Sequence, residues 1–171
     1  MGTTETVTGE RAELLQSLAK KRYFLRYTVR DLSDEQAAKH TTASELCLGG
    51  LIKHVALVER QWMSFILDGP PARSRDEAGA REWTDGFRML AGETLADLLE
   101  QYEQTASRTD ELVAALADLD AAHPLPEAPW FKRGAQWSAR RVLLHIIAET
   151  AQHCGHADII RESLDGAKSM G

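Results

Sequence analysis

The residues best suited to chemistry lie in one stretch late in the chain, His145-Ile-Ile-Ala-Glu149-Thr-Ala-Gln-His153-Cys-Gly-His156, where imidazoles and a carboxylate interrupt an apolar run. A four-residue step rotates about 40° around an α-helix, so His145, Glu149 and His153 share one slowly drifting face. His156 follows about one turn beyond His153. A Glu and a His at this spacing can bind one divalent cation together. A carboxylate buried beside imidazoles is costly unless something satisfies it, and a cation does so directly. A third donor exists at His54, in Leu51-Ile-Lys-His54-Val-Ala56, on the apolar side of a separate helical run. Facing helices of a bundle can converge such side chains on one ion. The same residues also fit a second arrangement, a buried Glu–His hydrogen-bonded pair that ties one helix to its neighbours without an ion. Spacing alone leaves both open.

The other reactive side chains read as structural. Asp158 and Arg161 lie three apart and are expected to pair on the helix surface. Cys154 stands about 100° around the helix from His153 and reads as a small packed residue, and nothing near Cys47 activates it. No convincing Ser-His-Asp or Cys-His arrangement is present.

Positioning these groups falls to four segments that repeat apolar residues at helical spacing, and no segment alternates like a half-buried strand. The first spans roughly 9–31, with Leu14, Leu18, Leu25, Val29 and Leu32 on one stripe. Ser33-Asp-Glu-Gln36 then reads as a fresh cap with a short helical turn. The second spans about 48–67, with Leu51, His54, Val55, Val58, Trp62 and Phe65 inward, and stops at Asp68-Gly-Pro-Pro71. Residues 69–93 form a long crossover that could hold a short helix within Asp76–Leu90 around Trp83. The third covers about 94–116, with Thr94 as its N-cap and Leu95, Leu98, Leu99, Tyr102, Leu112, Val113 and Leu116 inward. A loop over 118–136 leads to the fourth, capped by Ser138 and running to about Leu164, with a stop at Asp165-Gly166. Residues 167–171 are expected to fray. The fold class is therefore all-α, a four-helix bundle with long crossover loops.

Length and composition fit that reading. The chain has 171 residues, 43% hydrophobic and 27% charged, which suits one globular domain over 1–171 with its core in about 9–166. A net charge of −6 gives no broad attraction to nucleic acid or anionic membrane. The early basic residues Arg11, Lys20, Lys21, Arg22, Arg26 and Arg30 are diluted by Glu10, Glu13 and Asp31 and read as a solvated helix face. Two cysteines without a disulfide spacing imply a reducing compartment. The polar start, Met1 to Thr8, offers no signal-peptide core, and no stretch reaches the roughly 18 apolar residues of a membrane span. A cytoplasmic location is expected. Trp62, Trp83, Trp130 and Trp137 carry enough aromatic mass for some to line a pocket or an interface.

Leu48-Gly-Gly-Leu-Ile-Lys-His54 followed by Val58-Glu-Arg-Gln-Trp62, and then Trp137-Ser138, His145, Glu149-Thr-Ala-Gln-His153-Cys-Gly-His156-Ala-Asp158-Ile-Ile-Arg161-Glu162, together resemble the actinobacterial mini-circle-protein branch of the DinB-like superfamily. The likeness spans nearly the whole chain. It implies a four-helix bundle, commonly a homodimer, with a metal held by three side chains at one end of the bundle. Zinc and nickel are the ions usually associated with it. Many relatives use three histidines, whereas in this branch, as in the related mycothiol-dependent maleylpyruvate isomerase, the middle ligand is Glu. By that resemblance the ligands are His54, Glu149 and His153, with His145 and His156 off the ion. His156 stands where many relatives have glutamine, which suits lining the cofactor pocket or hydrogen-bonding a ligand.

The function implied is a metal-dependent transferase in which a low-molecular-weight thiol, by resemblance mycothiol, attacks a small electrophile as a detoxifying conjugation. Three protein ligands leave an open coordination position, as catalytic zinc requires. The metal would stabilise the thiolate, so no protein nucleophile is needed. Two alternatives accompany it: a metal-dependent hydrolase using the same open position for water, and a non-catalytic dimeric stress-response binding protein whose metal is structural.

Overall fold

In a computed structural model, residues 8–70, 81 and 84–169 are described. Four long helices, α1 (Gly9–Thr28), α3 (Leu48–Asp68), α4 (Leu95–Ala115) and α5 (Ala139–Asp165), carry the fold, and a short helix α2 (Asp34–Ala38) follows α1. Their ends are set by local chemistry. Ser33 and Gln36 form a reciprocal capping box on α2, Thr94 accepts the Asp97 N–H at the start of α4, and Ser138 accepts the Arg141 N–H at the start of α5. Gly69 and Gly166, at φ 78° and 81°, end α3 and α5 in a backbone conformation that costs glycine little.

Several expectations need correction. Helix α1 ends at Thr28 rather than near residue 31, because the Val29 and Arg30 N–H groups bond carbonyls three residues back and Asp31 then turns the chain at φ 59°. The loop over 118–136 contains a short antiparallel ladder, β1 (Ala122–Pro124) against β2 (Gln136–Ser138), with His123 opposite Trp137. The tail is tied down as far as Ser169, whose N–H and hydroxyl both donate to Asp158. Of the stretch 76–90 expected to hold a short helix around Trp83, residues 76–80, 82 and 83 lie outside the described residues, while Arg81, Thr84 and Asp85 are helical.

Side-chain contacts fix the helix directions. Helix α1 runs parallel to α5, joined by Glu10–Arg140 at one end and by Arg161 donating to the Thr28 carbonyl at the other. It runs antiparallel to α4, through Arg11 to the Leu116 carbonyl, Arg22 to Asp110 and Arg26 to Glu103. Helices α3 and α5 are antiparallel, since His54 meets His153 and Trp62 meets His145. The bundle is therefore up-down-down-up, with α3 packed on both α4 and α5. Parallel neighbours α3 and α4 need a long connection, and Asp68 and Leu95 are accordingly far apart in sequence.

The apolar core falls into two layers. One contains Leu25, Leu51, Ile52, Leu98 and Ile160, the other Leu18, Met63, Val113, Leu143 and Ile146. Polar side chains are buried between them. Arg22 belongs here and not to the solvated face expected for it: it is 2% exposed and grips Glu59, 0% exposed, with Nε at 3.2 Å and Nη2 at 2.5 Å. Its Nη1 reaches the rim residue Asp110 at 2.8 Å. An ion taken from water so completely survives only when paired this well. Arg161 is likewise buried and bonds the carbonyls of Thr28 and Arg30 and the Asp165 carboxylate, so the expected surface pair with Asp158 does not form.

Candidate metal centre

Helices α3 and α5 bring His54, Glu149 and His153 together, with one potential donor atom from each lying within 4.8 Å of the others. Glycine makes the α3 side of this site possible. A Cβ at Gly50 would stand 2.0 Å from the Phe87 carbonyl oxygen, so only glycine lets the crossover backbone approach so closely. That approach lays the Phe87 ring flat on His54, with centroids 3.7 Å apart and planes 20° from parallel. His54 is thereby 1% exposed. The His153 ring stands at 74° to it, with centroids 4.8 Å apart.

Electrostatics leave His54 and Glu149 in the protonation states a cation needs. Burial, aided by the positive potential of His153, pushes the His54 pKa down to about 4 against the opposing pull of Glu149. The ring is neutral at pH 7 and keeps a lone pair. Glu149, with the His153 imidazole beside it, is held below the usual carboxylate range in spite of its partial burial. The His153 Nε2 lies 3.7 Å from the Glu149 carboxylate, longer than a hydrogen bond. The neutral His54 imidazole, the ionised Glu149 carboxylate and the His153 imidazole together form an N/O donor set of the kind that holds a divalent cation.

The remaining candidates fall around this cluster. His145, one turn before Glu149, is not among the three converging donors. It packs edge-on against Trp62 and Trp137, with centroids 5.0 Å from each, while the two indoles stack at 4.9 Å and Arg141 covers Trp137. Desolvation lowers the His145 pKa. His156 is half-buried and places its Nδ1 3.3 Å from the His153 Nδ1. Cys154 donates to the Lys21 carbonyl, and burial pushes its thiol up to about 11, which keeps it unreactive. Cys47 is buried at the start of α3. Trp130 is exposed, and Trp83 lies outside the described residues.

Sequence reasoning missed Phe87 and the Arg22–Glu59 pair. The Gly49-Gly50 doublet was the available signal for a close backbone approach, though it does not say which segment approaches.

The profile of the mycothiol-S-transferase family matches residues 13–166. Two solved structures share the fold. A conserved protein from Enterococcus faecalis aligns at a TM-score of 0.71 and 12% identity, over 94% of this chain and 100% of its own. YfiT from Bacillus subtilis, described as a probable metal-dependent hydrolase with an unusual four-helix bundle topology, aligns at 0.66 and 16% identity, over 94% of this chain and 91% of its own. No curated protein is significantly similar in sequence.

Proposed function

The chain belongs to the mycothiol S-transferase family of the DinB-like superfamily, and on that premise we propose that it is a metal-dependent transferase joining a mycothiol-like thiol to small electrophiles. The observation that carries the proposal is the convergence of His54, Glu149 and His153 from two helices. A divalent ion, zinc foremost and nickel next, would supply Lewis acidity that holds a thiol as thiolate near neutral pH. The protein's own groups do the rest. His54 offers a neutral nitrogen, His153 a second imidazole nitrogen, Glu149 would balance the positive charge, and Phe87 excludes water from the His54 side. Glu149 keeps partial exposure, its side chain being 32% accessible, which leaves a side open to small molecules. The chain's own thiols are poor substitutes, since Cys154 stays protonated.

In the overall reaction the thiol sulfur forms a bond to the electrophilic carbon, the leaving group departs with its electron pair, and the thiol proton passes to solvent. The test uses zinc-loaded protein, chlorodinitrobenzene and mycothiol. Chloride release should require both the metal and the thiol, and release without thiol would favour hydrolysis. The fold shared with YfiT, itself described as a probable metal-dependent hydrolase, makes hydrolysis the second reading.

A cytoplasmic homodimer completes the proposal. Among the described residues no helix is long and apolar enough to cross a membrane. Tyr23 and Ile159, 55% and 61% exposed, provide apolar surface for a second copy. Sedimentation should give twice the 19.0 kDa of the chain.

A further inference from the structure

His153 approaches its two neighbours with different nitrogens. Its Nε2 faces the Glu149 carboxylate at 3.7 Å, and its Nδ1 faces the His156 Nδ1 at 3.3 Å, with ring centroids 5.2 Å apart and planes 65° from parallel. A hydrogen bond between two Nδ1 atoms needs one hydrogen between them, so one ring must be the N–H form at that atom and the other bare. With one hydrogen on each ring, the donating ring has a bare Nε2 and the accepting ring carries its hydrogen at Nε2.

We propose that His156 is a positioning residue that sets which nitrogen of His153 is free for the ion, and lets that choice switch without a change of charge. The inference rests on the metal-site reading above. In one arrangement the His153 Nδ1–H donates to His156, the His153 Nε2 is bare, and its lone pair points into the cluster with Glu149. In the other the His156 Nδ1–H donates, and the His153 Nε2–H points at the Glu149 carboxylate, which leaves no lone pair there for an ion. Passing between them moves a hydrogen from Nε2 to Nδ1 on His153 and from Nδ1 to Nε2 on His156. The exchange moves a hydrogen within each ring, so no net proton is taken up or released. A lone buried His153 would have no such partner and would lose its orientation as well as its tautomer.

Partners of this kind, acting behind a metal-binding histidine, typically strengthen metal affinity by about 10- to 100-fold. The experiment measures zinc affinity by competition with a chromophoric chelator and reads the tautomers from imidazole nitrogen–proton NMR correlations, with and without zinc. The wild-type chain should show His153 in the Nδ1–H form when zinc is bound, with His156 in the Nε2–H form. His156→Ala should weaken zinc by about 10- to 100-fold, and His156→Gln, whose amide can accept or donate, should recover most of that loss. Unchanged affinity in His156→Ala, or a zinc-loaded His153 protonated at Nε2, would overturn the proposal. A wild-type chain that takes up no zinc overturns the site itself, an outcome distinguishable from a loss confined to the His156 variant.

Discussion

In the metal-free chain, burial holds His54 neutral down to about pH 4, whereas the same imidazole in the unfolded chain has the ordinary value of 6.5. Between those values the unfolded state binds more protons, so stability rises with pH. The contribution is complete above about pH 6.5 and is lost as pH falls through about 4; the depression corresponds to about 3 kcal/mol. Urea denaturation in the presence of a chelator should show this slope, shared in part with His145, and His54→Leu should flatten it. Tyr102 offers a simpler test. It is 1% exposed and its hydroxyl finds no hydrogen-bond partner among the described residues. Removing an unsatisfied buried hydroxyl should relieve about 1 kcal/mol, so Tyr102→Phe is expected to melt at the same temperature or higher. At this scale the four-residue spacing put His145, Glu149 and His153 on one face and the apolar setting of His54 offered a third donor, while the resemblance selected Glu149 over His145. Phe87 and the Glu59 partner of Arg22 were not legible, because each depends on contact between segments far apart in sequence.

Two helical glycines should respond oppositely to the same substitution. Gly50→Ala would drive a methyl group into the Phe87 carbonyl, so the crossover must shift away and uncover His54. The expected cost is about 1–3 kcal/mol in chemical denaturation, with faster exchange of a divalent ion loaded at the proposed site. Gly155→Ala meets nothing within 4 Å and should gain up to about 1 kcal/mol from helix propensity. The helices themselves were readable because apolar spacing and the Thr94 and Ser138 caps agree. The end of α1 and the small ladder were less so. The first is fixed by backbone bonds at Val29 and Arg30, and the second by strands too short to leave an alternating pattern.

Across the whole molecule, the Arg22–Glu59 pair ties the diagonal helices α1 and α3 through the interior. Glu59→Gln leaves a buried guanidinium without its counter-charge and should cost about 3–5 kcal/mol in urea denaturation, while Arg22→Met combined with Glu59→Leu should recover most of it. No composition or charge count announces such a pair, since the deciding fact is a diagonal contact that exists only after the bundle closes. The parallel pairing of α1 with α5 has a mechanical consequence. The first residue of α1 and the last of α5 lie at opposite ends of the bundle, separated by roughly the 30 Å length of a 20-residue helix. A load applied at these two points pulls the helices lengthwise past each other instead of peeling them apart. The anchors at Glu10–Arg140 and at Arg161–Thr28 would bear it together. Stretched from its ends, the protein should resist in shear and yield in one step.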